Sequence, residues 1–129
     1  MKLRSFVSAK LHGMTVTGCH PDYHGSQTIP RSVLDAAGIL PYERVLVVNQ
    51  ANGKRWETYA IPGAEGVCTL NGAAAFNGAP GDTLIIMTFA LAEEYEPAKV
   101  LFFDEQNGVR EWLVYEREAA HVVAGAGIG

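Results

Sequence analysis

Apolar and polar positions along this chain alternate in short runs, and glycine and proline separate the runs. Residues 14–17, 44–48, 55–61, 83–90, 100–103 and 109–115 are each rich in Val, Ile, Thr or aromatic side chains, which fit a pleated, half-buried surface. They predict six strands. Asn52-Gly53 lies between two of them and suits a turn with positive φ at both central positions, so 44–48 and 55–61 are expected to pair as a hairpin. Asn107-Gly108 marks a second. Residues 30–37 carry helical spacing instead: Pro30 suits the first helical position, Val33, Leu34 and Ala37 share a face, and Gly38 can close the end. So short a helix has to be held by packing. Six or more strands with one or two short helices predict a mostly β chain closed into a barrel.

Composition narrows the class. With 129 residues, 48% of them hydrophobic, the chain can build one cored domain, 1–129, and is too short for two ordinary ones. Ten Lys+Arg against 14 Asp+Glu give a net charge of −4, which argues against nucleic-acid and membrane partners and favours small molecules or proteins. The first residues lack the apolar run of roughly 7–15 that a secretory signal needs. Cys19 and Cys68 stand far apart in no paired motif and read as reduced thiols, so the expected location is the cytoplasm. Residues 116–129, ending in Ala-Gly repeats, are expected to form a flexible tail. His20, Asp22 and His24 alternate beside Cys19, but Pro21 disturbs the alternation and the spacing matches no zinc pattern, so no metal is assigned.

Four segments carry the chemistry. In chain order they are Lys10-Leu11-His12, Asp22 through Ile29 with Gly25-Ser26 inside it, Asn52 through Ile61, and Leu70-Asn71-Gly72-Ala73-Ala74-Ala75. Together they resemble the aspartate 1-decarboxylase family, pyruvoyl-dependent enzymes that make β-alanine from L-aspartate for pantothenate synthesis. The likeness runs from about Arg4 to about Leu91. It implies a double-psi β-barrel, usually assembled as a homotetramer with active sites between neighbouring subunits.

The resemblance also implies that the chain cuts itself between Gly25 and Ser26 into 1–25 and 26–129, with a maturation factor as a possible partner. Attack of Ser26 Oγ on the Gly25 carbonyl exchanges the amide for an ester, and glycine leaves that carbonyl open. Elimination of the Gly25 carboxylate leaves dehydroalanine, which tautomerises and hydrolyses with loss of ammonia to a pyruvoyl group. The pyruvoyl derived from Ser26 is the expected cofactor: its ketone would take the substrate amine as a Schiff base and accept the electrons left by departing CO₂, as pyridoxal phosphate does elsewhere.

By the same resemblance Lys10 and Arg55 contact the substrate carboxylates, a task for which a planar guanidinium is well shaped. Tyr59 is the implied proton donor, Thr58 assists the acyl shift, and Asn71 with Gly72, Ala73, Ala74 and Ala75 forms the wall against substrate. His12 shares a strand face with Lys10, and Tyr23 packs beside the cleavage site. Arg55 and Tyr59 share a face by strand alternation, whereas Thr58 falls on the opposite one.

The chain departs from the family pattern at His20, Pro30 and Phe76, where an acidic residue, a polar residue and a histidine are usual. A paralogue acting on another amino acid is therefore an alternative. Residues 28–39, from Thr28 to Ile39, are also similar to an element of AbrB-type DNA-binding barrels, which gives a reading of another class. An uncleaved structural subunit is a third.

Overall fold

A computed structural model describes residues 1–118 and 122–127. The strands are β1 (Arg4–Thr15), β2 (Gly18–His20), β3 (Ser26–Pro30), β4 (Arg44–Asn49), β5 (Arg55–Gly63), β6 (Thr69–Asn71), β7 (Thr83–Ala92), β8 (Ala98–Phe103), β9 (Val109–Tyr115) and β10 (Val122–Ala126). Helix α1 (Arg31–Ala37) follows β3, and a 3₁₀ helix, α2 (Gly72–Asn77), follows β6. The chain is mostly β, as its alternation predicts. No helix among the described residues is long and apolar enough to cross a membrane.

Hydrogen bonds link the strands in the order β10-β9-β8-β1-β7-β4-β5-β3-β6-β2. Antiparallel pairs dominate, but β1 with β8, β3 with β5, and β2 with β6 run parallel. Parallel neighbours require the chain to cross over between them. That crossing brings β3, which starts at Ser26, between β5 and β6.

Strand β1 is far longer than the segment predicted near residue 14, because two bulges reset its alternation. Its pairing with β7 shifts between Val7 and Ala9 and again between His12 and Met14, where Gly13 has φ 90°. Ala9 and Leu11 therefore face the core, and after the second bulge Met14 and Val16 do. Leu34, Ile29, Leu70, Leu84, Ile86 and Leu101 complete the centre, all at most 1% exposed. Each such side chain contributes about 1.5–3 kcal/mol.

Two local expectations shift and two hold. Pro30 is the last residue of β3 and caps α1 rather than opening it, with φ −53° and ψ 136°, because it pairs with Gly63 in the parallel ladder. Gly38 closes α1 in the left-handed conformation, as expected. The link between β4 and β5 is wider than a two-residue turn: Asn49 N–H bonds Lys54 O at 2.8 Å, Gly53 N–H bonds Asn49 O at 2.8 Å, and Gly53 alone of the pair has positive φ. Asn107 has φ 63° and turns β8 into β9, as Asn107-Gly108 predicts.

The expected flexible tail needs correction. Val122–Ala126 forms β10 on the edge of β9, with Val122 opposite Tyr115 and Ala126 opposite Glu111. Its small residues permit this: a Cβ on Gly125 would come within 2.6 Å of the Trp112 ring, so only glycine lets the strand lie over that indole. Residues 119–121 and 128–129, also part of that expectation, lie outside the described residues.

Candidate active site

Ser26 opens β3 and is 1% exposed. In the antiparallel β3–β6 ladder it stands directly opposite Asn71. The Asn71 side-chain amide donates to Ser26 Oγ at 2.9 Å and to Thr28 Oγ1 at 2.9 Å, while Thr69 Oγ1 donates to Asn71 Oδ1 at 3.1 Å. Asn71 is thus held in one orientation by three hydroxyls. The Ser26 hydroxyl makes a long bond, 3.4 Å, to His24 O on the other side of Gly25.

Gly72 follows with φ 68°, a conformation glycine adopts at little cost. A Cβ there would lie 2.7 Å from Gly25 Cα and 2.8 Å from Gly25 N. The Gly25 and Gly72 backbones therefore touch, which no side chain at position 72 would allow. Gly25, Trp56, Glu57, Thr58, Asn71, Ala73, Ala74 and Asn77 line a cleft of 260 Å³ above this contact. Ala75 is buried, 8% exposed, and does not line it.

The cleft wall is pinned from behind. Asn49, fully buried, donates to Asn77 O at 3.1 Å and to Asp82 Oδ2 at 2.9 Å, and accepts from Ala51 N–H at 2.8 Å. Asn52 donates to the same Asn77 carbonyl at 3.0 Å. Both ends of α2 are so fixed, one by Asn71 and one by the β4–β5 loop.

Arg55 and Tyr59 do not meet this cleft. Along β5 exposure alternates, with Trp56 and Thr58 turned inward and Arg55 and Tyr59 outward, while Glu57, exposed as they are, also borders the cleft. The Thr58 conflict seen in the alternation is real in the fold: Thr58 lies on Ser26's side and Tyr59 on the other. Tyr59 pairs with Arg44, whose guanidinium forms an ion pair with Glu57, and its ring centroid is 6.1 Å from that of Tyr42.

Lys10 and His12 join Arg55 on the outer face. Ladder partners run Lys10–Met87–Leu46–Glu57 in one row and His12–Ile85–Val48–Arg55 in the next. Cross-strand partners share a face, so Lys10, His12 and Arg55 lie on the same side of the sheet, with the His12 and Arg55 positions about 14 Å apart across three strand spacings. Lys10 Nζ is 3.5 Å from Tyr115 Oη, and the His12 ring packs 5.3 Å from Phe102. Burial first, and the Lys10 charge second, lower the His12 pKa below 6.5.

Tyr23 is 56% exposed and stacks edge-on with His24 at 5.8 Å. It lines a second cleft with His20, Thr28 and Asn71, so Asn71 separates two openings. Trp56, Glu57, Thr28, Thr69 and Asn77 are site residues that sequence reasoning missed. Thr28 and Thr69 had a usable signal, since each sits two positions along its strand from Ser26 or Asn71 and so shares its face. Trp56, whose buried indole N–H has no hydrogen-bond partner among the described residues, gave none.

Comparison with known proteins shows the family. Residues 1–110 match the family described as aspartate decarboxylase. The chain is 47% identical over 115 residues to aspartate 1-decarboxylase of Acaryochloris marina, covering 84% of this chain and 87% of that protein. It is 46% identical over 127 residues to aspartate 1-decarboxylase of Exiguobacterium sibiricum, covering 94% and 98%. A third, from Salinibacter ruber, is 50% identical over 113 residues, covering 81% and 76%. An ordered match of this extent, on a fold that sets Ser26 against Asn71, means that the chain belongs to the aspartate decarboxylase family, a family of lyases.

Proposed function

We propose that the chain cleaves itself between Gly25 and Ser26 and then decarboxylates L-aspartate to β-alanine and CO₂, supplying pantothenate synthesis. The observation that carries this reading is the Asn71–Ser26 hydrogen bond of 2.9 Å, set where the Gly72 backbone touches Gly25. The amide fixes the nucleophile at the bond it attacks. Ser26 Oγ bonds to the Gly25 carbonyl carbon as the C–N bond breaks, and the nitrogen takes the proton. Thr58, on the cleft wall, is the hydroxyl available to assist.

The residues fit a pyruvoyl group at position 26: the site is buried, already holds an amide donor, and has a glycine where a Cβ would intrude. Asn71 would hold such a group, with Ala73 and Ala74 as its wall. When formed, it supplies the electron sink that amino-acid decarboxylation requires. Lys10 and Arg55 bind the two carboxylates, and Tyr59 delivers a proton to the carbon left after CO₂ departs.

These three residues lie on the outer face of β5 and β1 while Ser26 and Thr58 lie on the inner side. A site uniting both sets is best built by two copies, one giving the Ser26 cleft and its neighbour the cationic face. This supports a homo-oligomer, and we assign the homotetramer usual in the family.

Denaturing intact mass spectrometry with a hydrazine carbonyl trap tests the reading. Two fragments divided at Gly25-Ser26, the larger one trapped, with β-alanine formed from L-aspartate, are expected. A chain that stays whole after prolonged mild heating would overturn it.

A further inference from the structure

Among the described residues, two outside glycine have positive φ: Asn107 and Tyr42. Asn107 is accounted for. Asparagine tolerates the left-handed region, and its buried side chain bonds Thr15 O at 2.9 Å, Gly66 O at 3.0 Å and Thr15 N–H at 2.7 Å. Tyr42, at φ 71°, is a bulky residue in that region and is 76% exposed, so no burial offsets the strain.

Its neighbours explain where the strain is directed. The turn at residues 40–43 is closed by Glu43 N–H to Leu40 O at 3.1 Å and by Leu40 N–H to Glu43 Oε1 at 3.0 Å. It grips Ala60 on both backbone groups: Tyr42 N–H donates to Ala60 O at 2.7 Å, and Ala60 N–H donates to Glu43 O at 2.9 Å. Ala60 is the residue after Tyr59. The Tyr42 ring then lies 6.1 Å from the Tyr59 ring at 38°. The turn thus holds Tyr59 twice, through the backbone next to it and through its ring.

We infer that Tyr42 is a positioning residue for Tyr59, kept in a strained conformation because only an aromatic ring there limits the directions the Tyr59 phenol can take. Asparagine would make the same turn with less strain, so the turn alone does not call for tyrosine. Within its own chain Tyr59 is 37% exposed, so among the described contacts the Tyr42 ring is the one that can restrict its phenol, and a proton donor acts only from a fixed place. The inference rests on the reading of Tyr59 as proton donor.

The test compares Tyr42→Asn and Tyr42→Phe in the cleaved protein, alone and in a Tyr59→Phe background, with 3-fluorotyrosine at position 59 as a ¹⁹F probe where Tyr59 is present. Tyr42→Asn is expected to melt at or above the wild-type temperature, to keep the oligomer and the cleavage, and to hold KM for L-aspartate within about twofold while kcat falls about tenfold. Tyr42→Phe should keep kcat and leave the ¹⁹F signal in place, whereas Tyr42→Asn should move it. In the Tyr59→Phe background, Tyr42→Asn should add no further loss. Wild-type kcat with an unmoved signal in Tyr42→Asn, or equal losses in both backgrounds, overturns the inference. Full activity in Tyr59→Phe overturns the donor reading and the catalytic role with it. The ¹⁹F signal then separates the two failures: if it moves, the ring contact holds without catalytic use, and if it does not, the contact itself is refuted.

Discussion

Asn71 stands directly across the β3–β6 ladder from Ser26 and donates its amide to the serine oxygen at 2.9 Å. The two residues are 45 apart in sequence, and nothing but strand pairing brings them together.

Asn71→Ala removes the donor and leaves the Ser26, Thr28 and Thr69 hydroxyls to find other partners in a buried place. The expected cost is about 1–3 kcal/mol of stability. Loss of an aligned donor of this kind slows acyl chemistry by about a hundredfold or more. A time course of fragment appearance by intact mass checks this, and a folded variant that cleaves at the wild-type rate would refute it. Ser26→Ala should never cleave.

Gly72→Ala places a methyl group 2.7 Å from Gly25 Cα, and neither partner is a side chain that can swing away. Left-handed φ adds strain for alanine. The variant is expected to lose cleavage and melt lower, read by mass and by circular dichroism. Ala73→Gly, on the exposed wall, should change stability by no more than about 1 kcal/mol.

Asn49→Ala cuts three hydrogen bonds behind the cleft wall, leaving Asn77 O with the Asn52 amide alone and the Ala51 N–H without its side-chain acceptor. A loss of roughly 2–3 kcal/mol is expected in urea unfolding. Faster amide exchange around residues 77–79 should accompany it. Unchanged exchange there would show that α2 is held by other means.

His12 should titrate below 6.5 by NMR, and Lys10→Met should raise its pKa partway, since burial is the larger cause and remains. The sign for stability follows. Between the lowered folded value and 6.5 the unfolded chain binds more protons than the folded one, so stability drops as pH falls through that window. His12→Gln should flatten the drop. A steeper loss in that variant would contradict the assignment.

The likeness of residues 28–39 to a DNA-binding element covers the end of β3, helix α1 and its Gly38 cap. It is a strand-to-helix corner. Salt-sensitive retention on duplex DNA is expected to be absent, because a net charge of −4 supplies few counterions to release.

Local chemistry by itself determined a good deal. The β-branched runs specified β4, β5, β7, β8 and β9, Gly38 specified the end of α1, and Asn107-Gly108 specified the turn from β8 to β9. Strand alternation alone put Thr58 opposite Arg55 and Tyr59. These features depend on neighbours a few residues away. Tertiary structure decided the rest. Bulges at Ser8 and Gly13 reset β1, and the short strands β2, β3 and β6 exist only because crossover pairing supplies their hydrogen bonds. The Ser26–Asn71 contact, the Gly25–Gly72 approach and the Tyr42–Tyr59 pair all join segments whose spacing in sequence carries no distance. Register between strands is set by which faces bury together, a property of the whole core that no local window contains.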